Sequence, residues 1–378
     1  MEKFFDDYKL TIGEGEVTAI NNAANVYQDG TTPFWRDVDG KLWAISGHSH
    51  LGDIAMFCGE SVADLRYQYP AALNFKTGHA DYAFSGVCYP EGVKARGSVW
   101  LMGLYICPKT HRFFAFIHNE TGWCGQGTQY DAFGLCETPR YDSDFRHIGL
   151  MYSDDEGKTW TFDRWVLTAE NVCFTEKYVP ECTKLAPQKA GIISLGSGDF
   201  TLFADTDGRY LYLVYNIVRV DMDQGVWDGC DVYIARSKIR EDGKIDDFVK
   251  YYEGSFCQPG TFGKETPIAK NSWHARVAYS KAHGCYLMSS TRVNARQPMQ
   301  TVVDDAMQIR AGKTITEWSE PTLVYKDKKE WGNHYIAIVS DSKTGDVNHL
   351  PTDEFFVLVN HNGTDVKRHK AKLEKTKR

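Results

Sequence analysis

The chain has 378 residues, of which 42% are hydrophobic and 13% aromatic, and its formal net charge is -7 at pH 7. This composition is sufficient for a large buried core and offers no basic field for nucleic acid, so nucleic acid is not expected as a partner. The ten cysteines are scattered with no Cys-x-x-Cys pair, which argues against structural zinc.

Hydropathy bears on the location of the protein. No apolar run is long enough to cross a membrane, and the first residues lack the apolar segment of a signal peptide. No membrane partner is therefore expected. Localisation stays open between the cytoplasm and an exported protein whose signal has been removed, and the oligomeric state is not indicated.

In chain order, one strand-turn-strand pattern recurs at intervals of roughly 60 to 80 residues. Each occurrence consists of two apolar runs joined by a polar turn, which is typical of a β-hairpin. The predicted hairpins join residues 32–36 to 41–45, 98–102 to 113–117, 199–203 to 210–214, 274–278 to 285–288, and 335–338 to 355–359. Further strands are predicted between them, at 54–57, 148–152, 162–167, 232–237, 249–252, 307–310 and 318–321.

Five such units with four strands each predict an all-β fold, a five-bladed β-propeller of four-stranded antiparallel blades. Residues 1–366 would form a single propeller domain, and residues 367–378 a basic C-terminal tail. The segment 17–20 could close the ring by pairing with the last blade. A long double-sheet sandwich is the alternative, but it does not predict a repeat.

Polar residues at the starts of the innermost strands are the site candidates, because those strands converge on a central funnel. His48 and His50 follow the strand 41–45 with an i, i+2 spacing, so on an extended segment they point the same way. Such a pair could bind a metal, hold an anion or act on a substrate, or each histidine could be structural. His79 follows in a glycine-flanked loop.

Acidic residues occupy comparable positions in several units. Glu120 closes the second hairpin and is a candidate general acid, and Trp123 in the long loop behind it could stack on a sugar ring. The other candidates are Asp199 in a glycine-rich turn, Asp29 before the first strand, Glu265 after a glycine-rich loop, and the strand-start residues His274, Arg276 and His334.

The turn that begins at Ser153 has the pattern Ser-x-Asp-x-Gly-x-Thr-Trp. In it, Asp155 can accept hydrogen bonds from turn amides, Gly157 can take positive φ, and Trp160 can pack under the outer strands. The pattern resembles the Asp box of sialidase-type β-propellers. Its role is structural, so it indicates the fold and leaves the reaction open.

The order of these segments resembles five-bladed carbohydrate-active propellers, most closely the bacterial propellers related to endo-D-arabinanases. The resemblance is carried by Asp29-Gly30, the segment 47–52, His118-Asn119-Glu120 and the Asp-box turn. It implies a propeller that binds and cleaves carbohydrate. Those families have Gly-Asp-Thr where this chain has Gly47-His48-Ser49, so their catalytic residues do not transfer directly.

The sequence therefore predicts a glycoside hydrolase that acts on a polysaccharide or oligosaccharide in the central funnel. His48, Glu120 and Asp199 are the predicted chemical core, with Asp29 and Glu265 in reserve. The predicted substrate-binding residues are His50, His79, Trp123, Arg276 and His334. No cofactor is predicted, although His48 and His50 could hold a divalent cation. The alternatives are a uronate-directed polysaccharide lyase with a histidine base, and a glycan-binding propeller without catalysis.

Overall fold

The computed structural model describes residues 7–22, 26, 29–48, 53–74, 98–120, 146–170, 191–221, 223–240, 242–293, 297–298, 306–331, 334–361 and 365–376. Within these ranges the protein is all-β, as predicted, with 27 strands, two short 3-10 turns at Ala19–Asn22 and Val62–Asp64, and no α-helix. None of the helical segments described is long and apolar enough to cross a membrane.

The first strand, β1 (Tyr8–Val17), belongs to the last sheet, and the next strands form two sheets in chain order. Sheet I consists of β2 (Phe34–Arg36), β3 (Leu42–Ser46), β4 (Ala55–Gly59) and β5 (Arg66–Pro70). Sheet II consists of β7 (Ser98–Ile106), β8 (Phe113–Glu120), β9 (Arg146–Ser153) and β10 (Thr159–Thr168), with the short β6 (Ala72–Asn74) running parallel to β10.

Sheet III follows and is joined to sheet II by one bridge between Gly196 and Arg146. It consists of β11 (Ile192–Ala204), β12 (Tyr210–Asp221), β13 (Val226–Lys238), β14 (Val249–Tyr252) and β15 (Ser255–Pro259), and β18 (Gln297–Pro298) pairs with β13.

Two further sheets complete the described fold. Sheet IV consists of β16 (Ser272–Ser280), β17 (Cys285–Arg292) and β19 (Met307–Thr314), on which β20 (Glu317–Trp318) and β21 (Thr322–Leu323) both pair, with β25 (His349–Leu350) beside β16. Sheet V consists of β24 (His334–Val339), β26 (Glu354–His361), β27 (Asp365–Lys375) and β1, and the strands β22 (Tyr325–Lys326) and β23 (Lys329–Glu330) form a separate hairpin.

The hydrophobic core is divided into clusters that lie between consecutive sheets. Phe57 of sheet I, for example, is buried in one cluster with Leu358 of sheet V, so the last sheet packs against the first. The other junctions include Trp43 with Ile117 between sheets I and II, Phe116 with Leu213 between II and III, Val214 with Val277 between III and IV, and Leu287 with Val357 between IV and V. The apolar faces of these sheets are thus covered by neighbouring sheets.

The two ends of the described chain meet in sheet V. β1 runs antiparallel to β27 from Tyr8 beside Lys375 to Val17 beside Lys367, and the amide of Thr18 donates to the carbonyl of Val366. The segment expected to pair, 17–20, does so only at its first two residues, because the 3-10 turn begins at Ala19.

The basic stretch expected to be a tail from residue 367 instead lies largely inside β27. From Lys370 to Glu374 its charged residues alternate with apolar ones, and Ala371 and Leu373 are buried in the core. An alternation with period two places the charged side chains on one face of a strand and the apolar ones on the other. The high charge of this stretch conceals a strand pattern.

The turn between β9 and β10 has the hydrogen bonds expected from its sequence. The Asp155 carboxylate accepts from the Thr159 amide at 2.9 Å and from its hydroxyl at 2.7 Å, and the Gly157 amide donates to Ser153 Oγ at 2.8 Å. Gly157 has φ of 86°, and Trp160 is fully buried. This turn fixes the hairpin of sheet II, whose other end carries the site described next.

Candidate active site

The candidate site begins at irregularities in three inner strands. Strands β11, β16 and β24 each contain a bulge, and in each bulge one residue has a left-handed φ: Asp199 at 41°, His274 at 52° and Tyr335 at 49°. Such angles are rare for residues other than glycine and cost on the order of 1–3 kcal/mol each. Strain repeated in three neighbouring sheets marks this region as a functional candidate.

The three strained residues converge in space. The rings of His274 and Tyr335 lie with their centroids 4.1 Å apart, and His274 Nε2 is 3.7 Å from Asp199 Oδ2. Trp273 stacks on His274 at 4.7 Å and donates its indole N–H to Asp199 Oδ2 at 2.8 Å. The bulges therefore bring a carboxylate, an imidazole and a phenol to one place.

Sheet II contributes a second group of polar side chains. His118 and Glu120 lie two apart on β8 and so face the same side, and Arg146 is the cross-strand partner of Glu120 on β9. The Glu120 Oε1 atom is 2.8 Å from His118 Nε2 and 3.1 Å from Arg146 Nη2. All three side chains are buried.

Arg146 joins this group to Asp199. Its Nη1 donates to Asp199 Oδ2 at 3.0 Å, so one guanidinium contacts two carboxylates from different sheets. Burial by itself would raise the pKa of Asp199, but His274 and Arg146 hold it well below its usual value. Asp199 is therefore a carboxylate at neutral pH.

The tautomer of His118 follows from its neighbours. The Asp199 amide donates to His118 Nδ1 at 3.0 Å, so Nδ1 is an acceptor without a proton. The proton of the neutral ring then lies on Nε2 and is donated to Glu120. Gly198 makes this close approach possible, since a Cβ atom there would lie 2.3 Å from His118 Cε1.

Asp29 closes the site from the side of sheet I. Its Oδ1 accepts from the Tyr335 hydroxyl at 2.5 Å, and its Oδ2 accepts from the Trp100 indole N–H at 3.1 Å. Burial, followed by the charges of Asp29, Asp199 and Glu120, raises the pKa of Tyr335 well above its usual value. The phenol thus stays protonated and is close enough to sense three carboxylates.

His48 is held beside this group through Trp100. Its ring stacks on the Trp100 indole with the ring centroids 5.2 Å apart. The same indole makes an edge-to-face contact with the His118 ring, with the centroids 5.4 Å apart. His48 is 2% exposed. The structure therefore places His48 near the cluster, one aromatic ring away from His118.

Among the described residues, one group of side chains has ligand atoms close enough together to be considered as a site for a divalent cation. Ligand atoms of His118, Glu120 and Asp199 lie within 4.8 Å of one another. Arg146 already supplies a positive charge to both carboxylates at hydrogen-bond distance. A side chain of the protein thus already occupies the cation position beside these donors, which does not fit a site that needs a metal.

Glu265 has different neighbours from the other predicted acids. Its Oε2 contacts Lys250 Nζ at 2.5 Å and accepts from the Tyr215 hydroxyl at 2.8 Å. Burial raises the pKa of Glu265, although Lys250 and Tyr215 oppose the shift. None of these contacts involves the cluster around Arg146, so the structure does not bring Glu265 together with Glu120 and Asp199.

Arg276 is also held elsewhere. Its guanidinium donates to the carbonyl of Thr32 at 2.6 Å and to Asn348 Oδ1 at 2.9 and 3.2 Å, beneath the ring of Phe34. Burial lowers the pKa of Arg276 to about 10. These contacts tie β16 to the segment before β2 and to the loop between β24 and β26, and they engage the guanidinium that was predicted to bind substrate.

Three of the predicted binding residues, His50, His79 and Trp123, lie outside the described residues. His334 is described only as the first residue of β24. Nothing in the sequence singles out Arg146 or Trp273, because their roles depend on cross-strand register and on a bulge. The i, i+2 spacing of His118 and Glu120 was the available signal for the sheet II group.

The sequence matches no protein-family model and no curated protein. Solved structures resemble the fold. An inulosucrase from Halalkalicoccus jeotgali bound to kestose is 13% identical, with 94% of this chain and 80% of that chain covered and a TM-score of 0.50. At this identity the likeness concerns the fold alone, and the chain shares an all-β architecture with that enzyme.

Two other similar structures have lower TM-scores. An endo-arabinase from Bacteroides thetaiotaomicron is 12% identical, covers 96% of this chain and 98% of that chain, and has a TM-score of 0.43. A family 117 glycoside hydrolase from Zobellia galactanivorans is 11% identical, covers 98% and 91%, and has a TM-score of 0.46. The fold comparison rests on the inulosucrase.

Proposed function

We propose that the protein is a five-bladed β-propeller, related to the arabinanase-like propellers, that hydrolyses glycosidic bonds in its central funnel. Sheets I to V are the blades, and the turn at Ser153 is an Asp box. Residues 1–366 and the greater part of the basic segment behind them form one domain. The substrate class is a neutral or acidic glycan, either a polysaccharide or an oligosaccharide.

One observation carries this proposal. Glu120 and Asp199 come from two different sheets and Asp29 from the segment before β2, and the three converge within a buried region lined by aromatic rings. Hydrolysis of a glycosidic bond needs a proton donor for the leaving oxygen and a carboxylate that activates water or attacks the sugar. A cluster of several carboxylates whose ionisation is set by neighbouring charges is suited to that chemistry.

The roles of the predicted residues follow from their contacts. Glu120 and Asp199 are both contacted by Arg146, and we assign them to serve the water or to stabilise positive charge on the sugar. Trp100, Trp273 and Tyr335 supply the aromatic surface. Glu265 and Arg276 are assigned structural roles in this proposal, because their polar atoms are engaged outside the cluster.

Product mass spectrometry tests the reaction. The protein is incubated with arabinans, kestose, uronate-containing glycans and sialosides, and cleavage that adds one water to each product is expected. A dehydrated product that absorbs ultraviolet light would establish a lyase in place of a hydrolase. Binding of a glycan without any product would establish a binding module. Activity is expected to persist in EDTA, because Arg146 already supplies a positive charge to Glu120 and Asp199.

His48 provides a second test. Because its ring supports Trp100 beside His118, replacing His48 by Ala is expected to abolish turnover while the protein stays folded, as measured by product release and by thermal unfolding. His283 is the control histidine, since its Nε2 contacts the carbonyl of Leu373 in the outer part of the molecule. Unchanged turnover in the His48 variant would remove this residue from the mechanism.

A further inference from the structure

The carboxylates of the site are all hydrogen-bond acceptors. Glu120 accepts from His118 and Arg146, and Asp29 accepts from Trp100 and Tyr335. Asp199 accepts from an indole and a guanidinium. Hydrogen bonds donated to a carboxylate favour its ionised form. The side chains that contact these three carboxylates are all donors, so none of the three is placed as the proton donor of the site.

Three other groups in the site are also unsuitable as proton donors. Arg146 does not lose its proton in proteins. The Nε2 proton of His118 is directed at Glu120, and Nδ1 accepts from the backbone. The Tyr335 phenol donates to Asp29, and its pKa is raised well above the usual value. A proton donor near neutral pH must be sought elsewhere in the cluster.

His274 has the required surroundings. Its ring lies between Trp273 and Tyr335, and its backbone amide donates to Asn216 Oδ1 at 2.9 Å, so both the main chain and the ring are fixed. Nε2 is 3.7 Å from Asp199 Oδ2, a distance that a small ring movement converts to a hydrogen bond. A carboxylate at this distance favours the imidazolium ion.

The charges around His274 also favour a protonated imidazole. The ionisable groups in contact with His274 are Asp199 and Tyr335, and these two in turn interact with Asp29, His118, Glu120 and Arg146. Three carboxylates stand against one guanidinium in this described part of the chain. A protonated imidazole brings the net charge of the buried cluster closer to zero. The free-energy cost of burying charged groups is lowest when their charges are balanced.

We propose that His274 is the proton donor of the site and that Asp199 is the positioning residue that keeps it charged. This role rests on the proposed hydrolase function. The imidazolium gives its proton to the glycosidic oxygen while the bond from that oxygen to the anomeric carbon breaks, and the bonding electron pair stays on the oxygen. Water adds to the anomeric carbon and loses a proton to a site carboxylate, which returns it to His274 through solvent.

The leaving group decides whether this step is needed. His274→Asn is assayed on two aryl glycosides of whichever sugar the product panel identifies, one with a 4-methoxyphenyl and one with a 2,4-dinitrophenyl leaving group. Dinitrophenolate leaves without protonation, so its release is expected to fall less than about tenfold, against a loss of about 10²–10⁴-fold for methoxyphenol. Equal losses on both substrates, or no loss, would overturn the role of His274.

A partly buried histidine outside the site is the control. His349 Nε2 contacts the carbonyl of Ala204, and His349→Asn is expected to treat both leaving groups alike. His274→Phe retains a ring between Trp273 and Tyr335, so it replaces the asparagine variant if that fails to fold. If the wild-type protein cleaves no glycoside in the panel, the hydrolase proposal is refuted. If the wild-type protein cleaves and the two leaving groups respond alike in His274→Asn, only the role of His274 is refuted.

Nuclear magnetic resonance tests His274 without any turnover. In the ¹⁵N-histidine spectrum of the wild-type protein, the signal that is missing in His274→Phe is expected to be that of a charged imidazolium at pH 7. In Asp199→Asn the same ring is expected to be neutral at pH 7. A neutral His274 in the wild-type protein at pH 6 contradicts the proposal, whatever its activity.

Discussion

Two buried networks of charge in this protein have similar components and different constructions. Lys250 contacts Glu265 and the carbonyls of Thr168 and Gly263, which use all three of its donor hydrogens. Arg146 instead lies between two carboxylates, next to histidines and strained backbone. Burial and ion pairing are common to both networks, so they do not identify a functional site.

What distinguishes the Arg146 cluster is an excess of like charge held on unfavourable backbone conformations. A structural ion pair such as Lys250 with Glu265 satisfies one charge with one opposite charge. The cluster brings together more carboxylates than it has cations and places them with histidines that titrate near neutral pH. That arrangement costs stability, which is the pattern expected where chemistry takes place.

Removing the charge of one carboxylate in the cluster is expected to have the largest effect on turnover. Glu120→Gln is expected to reduce turnover by about 10²–10⁴-fold and to change stability little, because Arg146 retains Asp199 as its partner. Product formation and urea unfolding are measured side by side. Asp154→Asn, which removes an exposed pair with Arg112, is the control and should leave both quantities unchanged.

The opposite outcome is expected for the other network. Glu265→Gln leaves Lys250 as an unpaired buried charge, which should lower the free energy of unfolding by about 3–5 kcal/mol. Turnover per folded molecule should be unchanged. The double variant Lys250→Met with Glu265→Gln is expected to recover much of the loss in urea unfolding. A stable Glu265→Gln protein without turnover would return Glu265 to the catalytic residues.

The close packing of His118 offers a test of intermediate size. Gly198→Ala places a Cβ atom against the His118 ring, which must move, and a cost of about 1–3 kcal/mol in unfolding free energy is expected. Turnover should fall with it, because Glu120 loses a donor. Gly13→Ala is the control, since a Cβ there makes only ordinary contacts. Full activity of Gly198→Ala would show that the position of His118 is unimportant.

A further expected effect is a dependence of stability on pH. Complete burial, together with the neighbouring His118, lowers the pKa of His147 from 6.5 to about 3. The unfolded chain therefore binds a proton that the folded chain does not, so stability is complete above pH 6.5 and falls by roughly 1.4 kcal/mol per pH unit down to about 3.

Urea unfolding at several pH values measures this slope. His147→Phe removes the titrating group and keeps an aromatic ring beside Trp165, so its stability should fall less steeply between pH 6.5 and 4 than that of the wild-type protein. An identical slope in the variant would assign the acid sensitivity to other groups.

The strands were predictable because alternation and turn residues are local signals. The predicted hairpins coincide with strands of sheets I to V, and β27 was missed because its charges outweigh its alternation. Site membership was less predictable, since it depends on contacts distant in sequence. Arg146 reaches Glu120 through strand register, across the segment 121–145.

Arg276 shows that sequence periodicity can also assign a residue wrongly to the site. It lies two residues after His274, and regular alternation would direct both side chains to the same face. The bulge between Trp273 and Arg276 breaks that alternation, so His274 joins the cluster and Arg276 bonds to Thr32 and Asn348. A bulge is set by the packing of neighbouring sheets and leaves little trace in the sequence.

The pairing of β1 with β27 also has a kinetic consequence. Tyr8 is paired with Lys375 in the strand ladder, so the first strand described acquires its partner only when almost all of the described chain has been synthesised. Contacts of such large sequence separation form slowly, since a long loop must close before they contribute. Sheet V is therefore expected to assemble last during synthesis on the ribosome, and until then the apolar faces of sheets I and IV that it covers remain open to chaperones.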